Sequence, residues 1–218
     1  MADDEIRDEL LKFLQTREVL VAKHAFAENL RKTATVKINL VEPAPPSYAI
    51  ETSGRPALGA ATAAVTVVVF SDFQCPKCAV AHAALESIAK TYNGRVRIVA
   101  RNYPLEQHDM AFKAAEAAEA AFEQGKYWEY AQLLFANQST LSVARMKELA
   151  TQAGLDRAKF DAALDEGRFA AAVDRDLVEG GRIGVQGIPS IYVNGRAVAD
   201  DSPEGLKSAV EAALRERG

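Results

Sequence analysis

The sequence predicts an α/β fold in which two strand-bearing halves are separated by a long helical block, with a helical segment placed ahead of them. Two stretches carry this expectation. Val65–Phe70 is a β-branched and apolar run that leads through Ser71-Asp72 into Phe73-Gln74-Cys75-Pro76-Lys77-Cys78 and then into helical periodicity. Far downstream, Ile188-Pro189-Ser190-Ile191-Tyr192-Val193 reads as another strand, closed by Asn194-Gly195 as a tight hairpin turn.

The remaining elements follow in order. Residues 3–32 are expected to form a helix, with Ile6, Leu10, Phe13 and Leu14, then Val19, Leu20, Phe26 and Leu30, as an apolar stripe that has to be buried against something. Val36–Val41 alternates in period two, as a strand does, and Pro43-Ala44-Pro45-Pro46 marks a linker. A boundary near residue 55 thus separates a leading segment, 1–55, from the main domain, 56–218. After Cys78, Ala79–Tyr92 continues as a helix, and Arg95–Arg101 alternates charged and apolar residues like a strand with one wet face. Asp109 is placed to cap a helix ending near Gly125, Tyr127–Phe135 forms a short aromatic one, and Ser142 and Asp156 open two more. Phe169–Gly180 ends the helical block, and Ser202-Pro203-Glu204 starts the closing helix.

Composition bounds the function. A chain of 218 residues with 49% hydrophobic and 26% charged residues can bury a sizeable core. A formal net charge of −4 without a basic run argues against nucleic acid as a partner. No apolar run approaches the ~18 residues of a membrane span. Met1-Ala2-Asp3-Asp4-Glu5 has neither the basic start nor the apolar core of a signal peptide, which by itself points to the cytosol.

The two cysteines are the only ones in the chain, and they stand as Cys75-Pro76-Lys77-Cys78 between a strand and a helix. A sulfur at a helix start meets unpaired N–H groups and the positive end of the dipole, both of which favour a thiolate. Pro76 suits the first helical position, and Lys77 adds a positive charge. Cys78, one turn further in, is the expected resolving thiol. Two other readings stand beside this one. Zinc takes four ligands as a rule, and only His82, four residues beyond Cys78, is at hand to join the cysteines in a metal-binding module. A purely structural disulfide would close too small a loop to constrain the unfolded chain much.

Phe73-Gln74-Cys75-Pro76-Lys77-Cys78 after a strand, with Gly187-Ile188-Pro189-Ser190 and a hairpin far downstream, resembles the DsbA-like thioredoxin-fold thiol:disulfide oxidoreductases. The resemblance implies a thioredoxin fold with a helical insertion at about residues 105–183. It implies Cys75, Cys78 and a cis Pro189 as the catalytic set, and Ile188, Pro76 and Lys77 as the substrate-facing set. It also implies an oxidase that acts on protein thiols without cofactor or metal, outside the cytoplasm, with a membrane redox partner that regenerates the dithiol. A reductase or isomerase, and a chaperone-associated module, are the alternatives. The leading segment is similar to the tail of periplasmic parvulin-type chaperones; a docked helix or an oligomerisation arm would give the same pattern.

Many relatives carry an acidic residue six positions before the first cysteine, where this chain has Val69. That makes His82 the candidate proton relay to the resolving thiol. Asp72 is expected to do no more than cap the redox helix. His24 and His108 read as solvated, and Trp128 as packing.

Overall fold

Parallel strands covered on both faces are built from near-continuous apolar runs, and the central strand here is such a run. The computed structural model describes residues 3–34 and 46–217. The chain divides into two compact units, 1–44 and 45–218.

In the first unit, Asp3–Thr33 is one helix, α1. Its apolar side chains are exposed in the single chain, with Ile6 at 49%, Phe13 at 64% and Phe26 at 65%. At about 3.6 residues per turn, Ile6, Leu10, Phe13, Leu14, Leu20 and Val21 share one side, whereas Val19, Phe26 and Leu30 fall on the opposite one. The expected strand at 36–41 and the prolines at 43 and 45 lie outside the described residues.

In the second unit a five-stranded sheet has the order β1-β3-β2-β4-β5. Its strands are β1 (Ala57–Leu58), β2 (Val65–Ser71), β3 (Val96–Asn102), β4 (Ser190–Val193) and β5 (Arg196–Ala197). β2 pairs parallel with β3 over its whole length, from Val65↔Val96 to Ser71↔Asn102. β4 returns antiparallel on the other side of β2. Alternate residues of β2 then face opposite cores. Val65, Val67 and Val69 pack with α2 (Pro76–Thr91) and α8 (Pro203–Glu216). Val68 and Phe70 pack with Ile183, Val185 and Tyr192.

Between β3 and β4 stand five helices, α3 (Ala111–Glu123), α4 (Tyr127–Ala136), α5 (Val143–Gln152), α6 (Arg157–Asp165) and α7 (Ala170–Arg182), with a 3-10 turn at Gln138–Thr140. This is the expected insertion. Its own core gathers Tyr130, Leu134, Met146, Leu149, Phe160 and Leu164. Ser142 and Asp156 cap α5 and α6 by accepting from Arg145 N and Lys159 N. Asp109 does not cap α3, whose N-cap is Met110; its carboxylate instead accepts from Gln74 Nε2 at 3.1 Å. The Asn194-Gly195 turn has φ of 47° and 80°, as the tightest hairpin turns require. Any Cβ at Gly195 would also collide with the Tyr48 carbonyl, so glycine is needed there twice over.

The expectation of a wet face on β3 fails at Arg101, which is 1% exposed. α7 covers this part of the strand. Arg101 Nε donates to Asp176 Oδ1 at 2.7 Å, its Nη2 to Glu179, and its Nη1 to the Glu51 carbonyl at 2.8 Å. Asp176 is fully buried and also accepts from Asn102 N at 2.8 Å, with Arg55 Nη1 at 3.2 Å. Glu119 on α3 accepts from Asn102 Nδ2 at 2.7 Å. Burial and the nearby Asp176 carboxylate push the Glu119 carboxyl above the usual carboxylate range. A buried charge without its partner is far more costly than an intact pair. The Asp176→Ala variant is therefore expected to lose about 3–5 kcal/mol in urea unfolding. Truncating the exposed Arg168–Glu123 pair should cost under about 1 kcal/mol. Equal losses in the two variants would show that the buried network is not what fastens α7 to the sheet.

Candidate functional site

The site lies where β2 ends. Val65–Ser71 runs straight into Asp72-Phe73-Gln74, and Cys75 then serves as the N-cap of α2, with φ −82° and ψ 120° and no side chain of its own capping the helix. Pro76 occupies the helix start, where a missing N–H is harmless. Both cysteines are free thiols in this structure. Cys75 is 9% exposed and Cys78 is 1% exposed, so the sulfur at the helix start is the more accessible of a largely sheltered pair.

Ile188–Pro189 is a cis peptide bond. The Ile188 carbonyl lies 4.0 Å from Cys75 Sγ, which places the loop before β4 directly against the first sulfur. Ile188 and Pro189 are half-buried, and Pro76 and Lys77 are exposed on the first turn of α2. Five of the residues singled out in the sequence thus meet around Cys75, although they come from positions more than a hundred residues apart.

Cys78 faces inward. Burial pushes its thiol up to about 12. Hydrogen bonds from the Ser71 side chain and the Asp72 main chain pull the other way, and the neighbouring Cys75 sulfur adds to the rise. Ser71 was not singled out in the sequence, because a serine at a strand end carries no signal of its own.

His82 lies on the same helix as Cys78, one turn further on. Its ring stacks on Trp128 with centroids 5.2 Å apart and tilts against Phe135 at 4.7 Å. Its Nε2 lies 3.0 Å from Glu86 Oε1, an ion-pair distance but poorly aligned as a hydrogen bond. Burial raises the Glu86 carboxyl, yet the close His82 ring and the hydrogen bonds from Gln132 outweigh it and leave the group below its usual range. Among the described residues no three His, Cys, Asp or Glu side chains are gathered for a metal ion, so Cys75, Cys78 and His82 do not form a preassembled metal site. Val69 packs into the apolar core beside α2.

Asp72 does not cap α2 as the sequence suggested, since the N-cap is Cys75 and no side chain caps it. Its carboxylate is buried and accepts from Gln74 N at 2.7 Å and Leu105 N at 2.8 Å. The third partner is His108, whose Nδ1 lies 2.7 Å from Asp72 Oδ2. His108 is half-buried, not solvated as the sequence suggested, because the turn after β3 brings it back over the redox loop. Gln74 ties the same loop to the insertion, accepting from Met110 N at 2.6 Å. Gln138 closes the set by donating to the Phe73 and Cys75 carbonyls at 2.8 and 2.9 Å. Neither Gln138 nor the His108 contact could be read from sequence spacing, since each joins residues more than thirty positions apart.

A strand that delivers a dithiol to a helix N-terminus, opposite a cis-proline loop, can carry thiol–disulfide exchange. The family model for thioredoxin matches residues 51–212. Among curated proteins, the Na(+)/H(+) antiporter NhaA 3 of Salinispora tropica is 40% identical over 139 residues, which is 63% of this chain and 21% of that protein. The chain thus spans about a fifth of the length of that relative. Among solved structures, BdbD from Bacillus subtilis, in its oxidised form, is 26% identical with a TM-score of 0.72, covering 78% of this chain and 98% of that one. A thioredoxin-like oxidoreductase from Silicibacter pomeroyi is 27% identical with a TM-score of 0.64, covering 75% and 94%. The thiol-disulfide exchange protein alpha-DsbA2 from Wolbachia pipientis shares the fold at 18% identity and a TM-score of 0.64, covering 73% and 87%. The chain belongs to the thioredoxin family, with the helical insertion of its DsbA-like members.

Proposed function

We propose that the protein is a thiol:disulfide oxidoreductase that acts on protein cysteines as a DsbA-like oxidase, through a mixed disulfide at Cys75. The observation that carries this reading is the asymmetry of the pair, with Cys75 at the mouth of α2 against the Ile188 carbonyl and Cys78 sealed behind it. With the pair oxidised, a substrate thiolate attacks Cys75 Sγ. The Cys75–Cys78 bond breaks, and its electrons leave on Cys78 Sγ, which takes up a proton. A second substrate thiolate then attacks the substrate sulfur of the mixed disulfide, forming the substrate's disulfide and expelling Cys75 as thiolate. Two electrons have passed from the substrate to the dithiol. Protonated Cys78 is a poor nucleophile, so it returns slowly to the mixed disulfide and leaves time for the second substrate thiol.

Ile188 supports the substrate side of this reading. Its main chain stands beside the reacting sulfur, where an extended peptide can pair with it as an added strand next to Cys75. Pro76 and Lys77, exposed beside it, complete the substrate-facing surface. An extracytoplasmic location and a membrane-bound partner that reoxidises the dithiol follow from the DsbA-like resemblance. Among the described residues no helix is long and apolar enough to cross a membrane.

Order of attack is the first test. Brief iodoacetamide treatment of the reduced protein at neutral pH should label Cys75 at least about tenfold faster than Cys78, because the thiolate is the reactive form. Preferential labelling of Cys78 on mass-spectrometric mapping would reverse the assignment. Direction is tested by equilibrating the pair with glutathione buffers. An oxidase poises well above the about −270 mV of a reducing thioredoxin, and a couple at or below that value would make the protein a reductase.

The buried Cys78 thiol also gives a pH dependence. Its folded value, about 12, stands above the 9.0 of an ordinary thiol. The contribution is therefore fully present below pH 9 and is lost as pH rises toward 12, because the unfolded chain ionises first. The reduced protein should lose about 1 kcal/mol between pH 9 and 10 in urea unfolding relative to Cys78→Ala. A flat difference over that range would show that the thiol is not sequestered.

A further inference from the structure

Resting on the exchange reading above, we infer that Gln138 is a positioning residue for Cys75, which it holds through the main chain of the redox loop. One primary amide donates to two carbonyls, Phe73 O at 2.8 Å and Cys75 O at 2.9 Å. The two hydrogens of an NH2 group point in different directions, so a single side chain can fix both peptide planes at once. Phe73 is 4% exposed, and among the described residues no other donor reaches its carbonyl. The Cys75 carbonyl also accepts from Cys78 N at 3.1 Å and Ala79 N at 3.3 Å, the first hydrogen bonds of α2. Gln138 therefore acts on the peptide unit that begins the redox helix and sets the direction in which the Cys75 side chain leaves it.

The turn that carries Gln138 is itself anchored. Gln138 follows the C-cap of α4, where Asn137 Nδ2 donates to the Leu133 carbonyl at 2.8 Å. Asn137 Oδ1 accepts from Arg145 Nη2 at 2.8 Å, which ties the turn to α5. Phe135, one turn earlier, packs on the Phe73 ring with centroids 4.8 Å apart. The insertion thus reaches the nucleophile by a short chain of contacts. Cys75 has no capping side chain, so its orientation depends on contacts such as these. Small displacements of a reacting atom lower rates steeply, by up to about a hundredfold for 1 Å.

The test is single-turnover oxidation of a dithiol peptide by the oxidised protein, across peptide concentrations. Gln138→Met keeps the shape of the side chain and removes both donors. It should lower the saturating rate constant roughly three- to tenfold while the half-saturating peptide concentration stays unchanged. Tyr130→Phe is the control, because it removes a buried hydrogen bond to the Met146 carbonyl inside the insertion without touching the redox loop. Equal rate losses in the two variants, or no loss in Gln138→Met, would overturn the inference. Should Gln138→Met fail to fold, the wild-type protein supplies the answer by NMR. The side-chain amide protons of Gln138 should exchange with solvent at least about tenfold more slowly than those of the exposed Gln107. Equal exchange would refute the clamp. A wild-type protein that does not oxidise the peptide at all would refute the exchange function itself, while the NMR measurement would still report on Gln138.

Discussion

Arg101 and Asp176 form the contact on which the second unit's architecture depends. Both are buried, and each would be a severe liability alone. Together with Glu179, Arg55, Asn102 and Glu119 they join β3, α3, α7 and the segment ahead of β1 in one polar cluster. The insertion has a core of its own, which Phe73 and Ala100 join from the sheet side, but apolar packing is non-directional and sets its angle to the sheet only loosely. Hydrogen bonds with defined directions supply that angle. A charged core of this kind contributes little net stability compared with an apolar one, so its use here is better understood as geometric specification.

Fixing the insertion matters because the redox loop is fastened to it. Asp72, Phe73, Gln74 and the Cys75 carbonyl all find partners on the turn after β3 or on the insertion itself. The strand delivers the cysteines to the edge of the sheet, but the helices beyond it determine how the first sulfur is presented. The same logic explains His82. On the redox helix it faces the insertion, and the rings of Trp128 and Phe135 take it into packing. Gly180 serves the same seam. A side chain there would clash with the Tyr103 ring, and α7 runs past the glycine to Arg182 instead of ending at it.

The site works by unequal burial. Two sulfurs three residues apart on one helix would be chemically alike in water. Here the first caps the helix and meets the cis-proline loop, whereas the second is enclosed by Ser71, Asp72 and the sheet. Desolvation holds Cys78 as a thiol, which under the proposed mechanism separates the roles of nucleophile and resolving group.

The sequence by itself determined the local chemistry and the periodic elements. The apolar run of β2, Pro76 at the start of α2, the Asn194-Gly195 turn and the caps Ser142, Asp156 and Ser202 all act over a few residues, and each was legible. The dithiol and Pro189 were legible because their spacing from strand and turn matches a known family. Only the tertiary structure decided which polar residues are buried. Arg101 looked like the wet side of a strand, His108 like a solvated loop residue and Gln138 like nothing in particular. Each gained its partner from an element distant in sequence, and an alternating pattern does not say whether a further layer will cover the polar face.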